Sequence, residues 1–165
     1  MDDHTTRHRI FETPVGPFAL IRGPDGAVSA TWDGAPGAGE SSHDPDLLPE
    51  ISTRLTRYFN GEAVEFDDVA TPRGTPFRHR CWEHCRAVPR GQTLAYGKLA
   101  GLAGAAGGAQ AAGQAMRSNP LPVIVPCHRI IAAGGRLLGY NGSADPQSPE
   151  LGIKRWLLSL ERSTP

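Results

Sequence analysis

Apolar and polar residues alternate through the first thirty positions: "RHRIFETPVGPFALIRGPDGAVSATWD" swings with period two and breaks at "TPVGP" and "GPDG". Period two sends successive side chains to opposite faces of a sheet, and the breaks carry turn-forming residues. The pattern predicts strands near 8–13, 17–22 and 27–32, joined as an antiparallel meander. The polar, Gly/Pro-rich stretch 34–45 reads as a loop. In "DLLPEISTRLTRYF" (46–59), Leu47, Leu48, Ile51, Leu55 and Phe59 fall at helical spacing, and Asn60-Gly61 is a stop. A short extended piece (63–70) and a linker, "TPRGTPF" (71–77), follow.

The second half has a different texture. Thr75-Pro76 opens a helix through "FRHRCWEHCRAV", ended by "PRG" (89–91); 93–104 and 107–119 read as two more helices. The glycine-containing turn between them, 104–108, makes a helix-turn-helix pattern. The last helix, 150–161, has Leu151, Trp156, Leu157 and Leu160 as its apolar face. The helix of 107–119 is built almost wholly of small residues, and glycine in a helix interior costs about 1 kcal/mol against alanine. Small side chains let a backbone approach another surface closely, either a packed helix or a nucleic-acid groove. The fold class is therefore α/β (α+β). A small N-terminal domain of antiparallel sheet plus helix (1–72) precedes a mostly helical C-terminal domain (73–165).

An apolar fraction of 39% over 165 residues is enough for a real core. No run of eighteen apolar residues occurs, and "MDDHTTRHRIFE" has no apolar signal core, so a soluble, cytoplasmic protein without membrane attachment is expected. Three cysteines suggest thiols rather than a disulfide framework. The net charge of +0 hides a split. Up to Pro72, 5 Lys/Arg oppose 13 Asp/Glu, a net −8; from Arg73 onward 12 oppose 4, a net +8. A basic half points to an acidic partner, with nucleic acid the leading candidate, or to attraction between the halves.

The chemistry concentrates at "NPLPVIVPCHRII" (119–131). A thiol is a good nucleophile only as thiolate, which an imidazole or a positive charge favours. His128 and Arg129 follow Cys127 directly. Pro126 disfavours a regular strand, so a turn there brings thiol and imidazole together. On spacing alone, a buried inert cysteine fits equally well.

The longer run is more specific. "RSNPLPVIVPCHRII" and "GGRLLGY", preceded by "GQTLAYGKLA" and "GQAMR", resemble the alkylguanine-DNA alkyltransferases, with "PCHR" the most specific motif. The likeness is dense over 73–161; "TPVGPFAL" and "LTRYFNGE" resemble the family's N-terminal domain. The resemblance implies an RNase H-like first domain and a winged-helix-like second one. It implies that Cys127 takes an alkyl group from O6-alkylguanine, and from O4-alkylthymine, irreversibly and stoichiometrically after base flipping. By position, His128 matches the base that draws off the thiol proton through a water. Glu161 matches the carboxylate that orients it, and Asn119 the residue holding the turn between recognition helix and active-site strand. Tyr96 matches the tyrosine beside the target's phosphate, Tyr140 the pocket-wall aromatic, and the backbone near Val125 and Cys127 would bind the base. The helix of 107–118 would enter the minor groove of double-stranded DNA, placing Ala109, Gln110, Ala111, Gly113 and Arg117 against it. No cofactor and no metal are implied, and the protein would act as a monomer.

Two departures stand out. Gln110 stands where the family carries an arginine that fills the hole left by the flipped base. The segment after Tyr140, "NGSADPQSPELGIK", is longer than usual. Gln110 leaves an alternative open, an alkyl acceptor for a small-molecule electrophile or a free base. A non-catalytic lesion-binding module is disfavoured by Cys127. His79, Cys81, His84 and Cys85 cannot share one helical face, so they do not form a zinc site.

Overall fold

The computed structural model describes residues 5–34, 36, 41–140, 143 and 145–163. The chain divides into two compact units, Met1–Phe66 and Asp67–Pro165. The expected linker, 71–77, begins within the irregular segment 67–75 that follows this cut.

In the first unit, β1 (Arg7–Thr13), β2 (Gly16–Arg22) and β3 (Val28–Thr31) form the expected antiparallel meander, with Phe11 opposite Phe18. Gly16 takes φ 119° where the β1–β2 turn closes, a conformation that favours glycine. One strand is missed by the pattern: β4 (Ser42–His43) pairs in parallel with β1, inside the segment read as a loop. Two residues are too few to show a period, and the sheet is consequently mixed. The remainder of that loop includes 35 and 37–40, which lie outside the described residues.

Helix α1 (Pro49–Phe59) starts three residues later than its pattern suggests, because Leu48 adopts a left-handed φ of 46° and Pro49 takes the first helical turn. Leu47 and Leu55 are buried as expected. Phe59 meets Phe18 and Trp32 at centroid distances of 5.3 and 5.9 Å, closing an aromatic core. The extended piece expected at 63–70 is irregular and turn-like.

The second unit is mostly helical. α2 (Pro76–Arg86) is capped by Thr75, whose hydroxyl accepts from the Arg78 amide at 3.3 Å. The segment 93–104 is shorter as a helix than expected: Leu94–Ala95 forms β5, and α3 runs Tyr96–Leu102. The turn 103–108 follows, with Gly104 and Gly107 at φ 88° and 79°, and then α4 (Ala109–Arg117). The small residues of α4 serve two surfaces. Ala112 and Ala115 are fully buried, and the indole of Trp82 donates to the Ala115 carbonyl at 2.9 Å. Ala109, Gln110, Ala111, Gln114 and Arg117 are exposed.

After α4 the chain turns through 118–126 to a short 3-10 turn, Cys127–Arg129, and then β6 (Ile130–Ile131), which pairs in parallel with β5. α5 (Pro149–Arg162) is capped by Ser148. Its buried face differs from the expected one. Leu151 and Leu157 are inside, Trp156 and Leu160 only half so, and Lys154 and Glu161 are buried with the apolar residues. Among the described residues no helix is long and apolar enough to cross a membrane.

Candidate active site

Asn119 sets the turn that presents the cysteine. Its Nδ2 donates to the Val125 carbonyl and its Oδ1 accepts from the Leu121 amide, both at 2.9 Å. Within that loop Val123, a β-branched residue, holds φ 73°, a strained conformation that needs such bracing. The Val125 carbonyl also accepts from the Cys127 amide at 2.8 Å, an inverse γ-turn about Pro126, and the Pro126 carbonyl accepts from the Arg129 amide at 2.9 Å to close the 3-10 turn. Pro126 thus blocks a strand and a turn forms, as its ring geometry demands.

Cys127 is 7% exposed and lines a cavity of about 520 Å³. Burial pushes its thiol up, while a hydrogen bond from Asn119, the charge of Lys154 and a hydrogen bond from Tyr140 pull the other way. α4 supplies one wall, with Ala109, Gln110, Gly113, Gln114 and Arg117. Tyr96, Leu138 and Tyr140 face them. From the long segment after Tyr140, Ser143 lines the cavity; Asn141, Gly142 and Ala144 fall outside the described residues. Ala111, also expected against DNA, is exposed on α4 but not on this cavity.

Behind the thiol the charged residues are sequestered. His128 Nε2 lies 2.8 Å from Glu161 Oε1, both side chains fully buried. Arg129 donates to the same carboxylate from Nη2 at 2.9 Å and from Nε at 3.0 Å, and from Nη1 to the Val88 carbonyl at 2.7 Å. Burial alone would raise the Glu161 carboxyl, but the hydrogen bonds and charges of His128 and Arg129 hold it well below the usual carboxylate range. Burial pushes the His128 imidazole down, against the pull of Glu161, so the ring is neutral at pH 7. Neutral His128 then donates from Nε2 to Glu161, and Nδ1 is the basic nitrogen. That is the protonation state a general base for a thiol requires.

Lys154 is the residue that helical patterning missed. It is fully buried, and its Nζ donates to the carbonyl of Ile130 at 2.6 Å, to that of Gly139 at 3.2 Å and to the hydroxyl of Tyr96 at 3.2 Å. Burial lowers its pKa to about 8. The Tyr96 hydroxyl itself donates to the Leu138 carbonyl at 2.9 Å, and burial raises it to about 12. Tyr96 is therefore tied into the pocket wall. Val125 and Asn119 belong to the turn itself and do not line the cavity. Cys81, Cys85 and Cys127 are free buried thiols, and no described cluster of three or more His, Cys, Asp or Glu could hold a metal ion.

Comparison with known proteins agrees with this geometry. The model of the 6-O-methylguanine DNA methyltransferase DNA-binding domain matches residues 76–163. The methylated-DNA–protein-cysteine methyltransferase of Mycobacterium tuberculosis is 37% identical over 163 residues, spanning 94% of this chain and 92% of its own. That of Methanosarcina acetivorans is 34% identical over 160 residues, spanning 94% and 98%. The crystal structure of M. tuberculosis O6-methylguanine methyltransferase superposes with a TM-score of 0.81 at 34% identity, covering 98% of this chain and 95% of that one. A crystal structure of the M. tuberculosis protein in complex with DNA gives 0.79 at 35%, covering 96% and 95%. With its second unit matched by the family model and nearly its whole length by these relatives, the chain belongs to the methylated-DNA–protein-cysteine methyltransferase family.

Proposed function

We propose that this protein repairs DNA by taking an alkyl group from O6-alkylguanine, and from O4-alkylthymine, onto Cys127 in a single turnover. The observation that carries the reading is a buried thiol opening on a cavity, backed by a neutral histidine locked to a buried carboxylate. The thiol proton passes to His128 Nδ1 through a water, and the thiolate attacks the alkyl carbon in line with the departing oxygen. The S–C bond forms as the C–O bond breaks, and the proton returns to the released guanine. The protein supplies the acceptor, so no cofactor enters and the thioether is final.

DNA would be held by the basic second unit through phosphates, with affinity that falls as salt rises. The exposed face of α4 would enter the minor groove, with Arg117 against the backbone and the lesion base flipped toward Cys127. Flipping costs a few kcal/mol. The RNase H-like and winged-helix-like descriptions of the two units, a monomeric state and a cytoplasmic location complete this reading. A second reading is favoured by Gln110, exposed at the cavity rim: efficient reaction with a free alkylated base or small electrophile. Intact-mass spectrometry after incubation with methylated duplex DNA, and separately with free benzylated guanine, tests both. One alkyl group on Cys127 from duplex is expected; label on Cys81 or Cys85, or full activity in Cys127→Ser, would overturn the first reading.

A further inference from the structure

The second unit holds another cavity, of about 440 Å³, that shares a wall with the acceptor site. The shared wall is the segment 131–139. Ala132, Ala133, Leu138 and Gly139 line the acceptor cavity, whereas Ile131, Gly135 and Leu137 line the second one. The two spaces are thus separated by one thickness of chain.

The second cavity has two chemistries. Its apolar side is Ile131, Leu137 and the buried Leu158. Its polar side comes from α5, where Arg155, Ser159 and Arg162 recur at intervals of four and three, on one helical face. At 1.5 Å rise per residue the two arginines stand about 10 Å apart along the helix. No carboxylate lines this cavity, and neither arginine is in an ion pair among the described residues. Arg155 Nη2 is anchored on the Pro146 carbonyl at 3.0 Å, which fixes the guanidinium at the rim. A guanidinium fork matches phosphate oxygens, and an aliphatic wall takes the apolar surface of a base out of water.

We propose that this cavity binds a single nucleotide, with its phosphate between Arg155 and Arg162 and its base against Ile131, Leu137 and Leu158. The nucleotide is either free or the end of a DNA strand. Bound there, it braces segment 131–139 from behind and so holds the wall of the acceptor cavity.

The test uses the full chain without a lesion, so it does not depend on alkyl transfer. Amide chemical shifts and calorimetry follow titration with dAMP, inorganic phosphate, and a 5′-phosphorylated tetradeoxyadenylate. Saturable dAMP binding is expected, with shifts centred on Ile131, Leu137 and Arg155. The R155Q/R162Q double variant should weaken it at least tenfold. Leu137→Ala should weaken dAMP but leave the much weaker phosphate binding as it was. Tighter binding of the tetranucleotide than of dAMP would assign the site to a strand end, and equal binding to a free nucleotide. The proposal is overturned if dAMP does not saturate, or if the double variant binds it as well as the wild type. Phosphate binding as tight as dAMP, or shifts centred on Gln110 and Gly113, would overturn it too.

Discussion

His128 Nε2 and Glu161 Oε1 meet at 2.8 Å with no solvent reaching either side chain. The pair fixes the imidazole tautomer, so each residue is useless for proton transfer without the other. Removing a positioned general base typically costs a factor of about 10²–10⁴. We expect His128→Ala and Glu161→Gln each to slow transfer to Cys127 by about 10² or more. The double variant should be little slower than the worse single one. Glutamine is chosen because its amide oxygen can still accept a hydrogen bond from Arg129, whereas alanine removes every acceptor as well as the charge. Single-turnover rates on methylated duplex check this, and additive effects would show two independent roles.

Lys154 gives a pH signature. Its proton is lost near pH 8 in the folded chain but near 10.5 when solvated. Between those values the unfolded state binds more protons, so this group's contribution to stability rises with pH. At 1.36 kcal/mol per unit, the difference between the two limits is about 3 kcal/mol. Lys154→Met should remove that rise, so the stability of wild type relative to the variant should climb between pH 8 and 10.5. The same variant withdraws the charge that pulls the Cys127 thiol down, and should slow alkylation at pH 7. Urea denaturation across the pH range, with transfer rates at pH 7, measures both. A wild type that gains nothing on the variant above pH 8 would mean that Lys154 keeps its proton in the fold as long as it does in the unfolded chain, so that burial does not lower its pKa.

Much of this was legible in the chain. The β1–β2–β3 meander follows from period two, and Pro126 foretells the turn at Cys127. What escaped has physical causes. β4 is two residues held by a parallel pairing to β1, and no local pattern encodes a partner thirty-five residues away. Lys154 lies on the apolar face of α5, but a lysine reads as surface because burial of its charge needs oxygens that only tertiary folding brings together. Those oxygens come from Ile130, Gly139 and Tyr96. Glu161 and Asn119 were reachable only through family resemblance, since nothing in their spacing from Cys127 reveals a contact. The second cavity could not be seen at all, because the residues of 131–139 divide between two different spaces with no regular period.

Asn119 joins turn geometry to thiol chemistry. Asn119→Ala leaves the Leu121 amide without its acceptor and the Val125 carbonyl without one of its two donors. A cost of about 1–3 kcal/mol is expected from unmet hydrogen bonds. Asn119→Asp separates the two roles. It keeps the acceptor for Leu121 but places negative charge beside the sulfur, so the Cys127 thiol should titrate higher still. Iodoacetamide alkylation against pH should show the profile of the Asp variant displaced upward. An unmoved profile would restrict Asn119 to holding the turn.

Gln110 sits exposed on the first turn of α4, on the rim of the cavity that holds Cys127. An arginine there would make charge-assisted hydrogen bonds, roughly twice as strong as neutral ones, to the base left behind by flipping. The amide of Gln110 is shorter and uncharged, though it both donates and accepts. Loss of one good side-chain–base contact is worth about 1–3 kcal/mol. We therefore expect Gln110→Arg to speed transfer from duplex DNA by up to about a hundredfold, within that range. Reaction with free benzylated guanine needs no flipping and should keep its rate. Parallel single-turnover assays on the two substrates decide the matter. Equal duplex rates for both variants would mean another side chain fills the gap, with Gln114, one turn along the same exposed face and on the same cavity, the first to replace. A matching change on the free base would mean that Gln110 shapes the pocket itself.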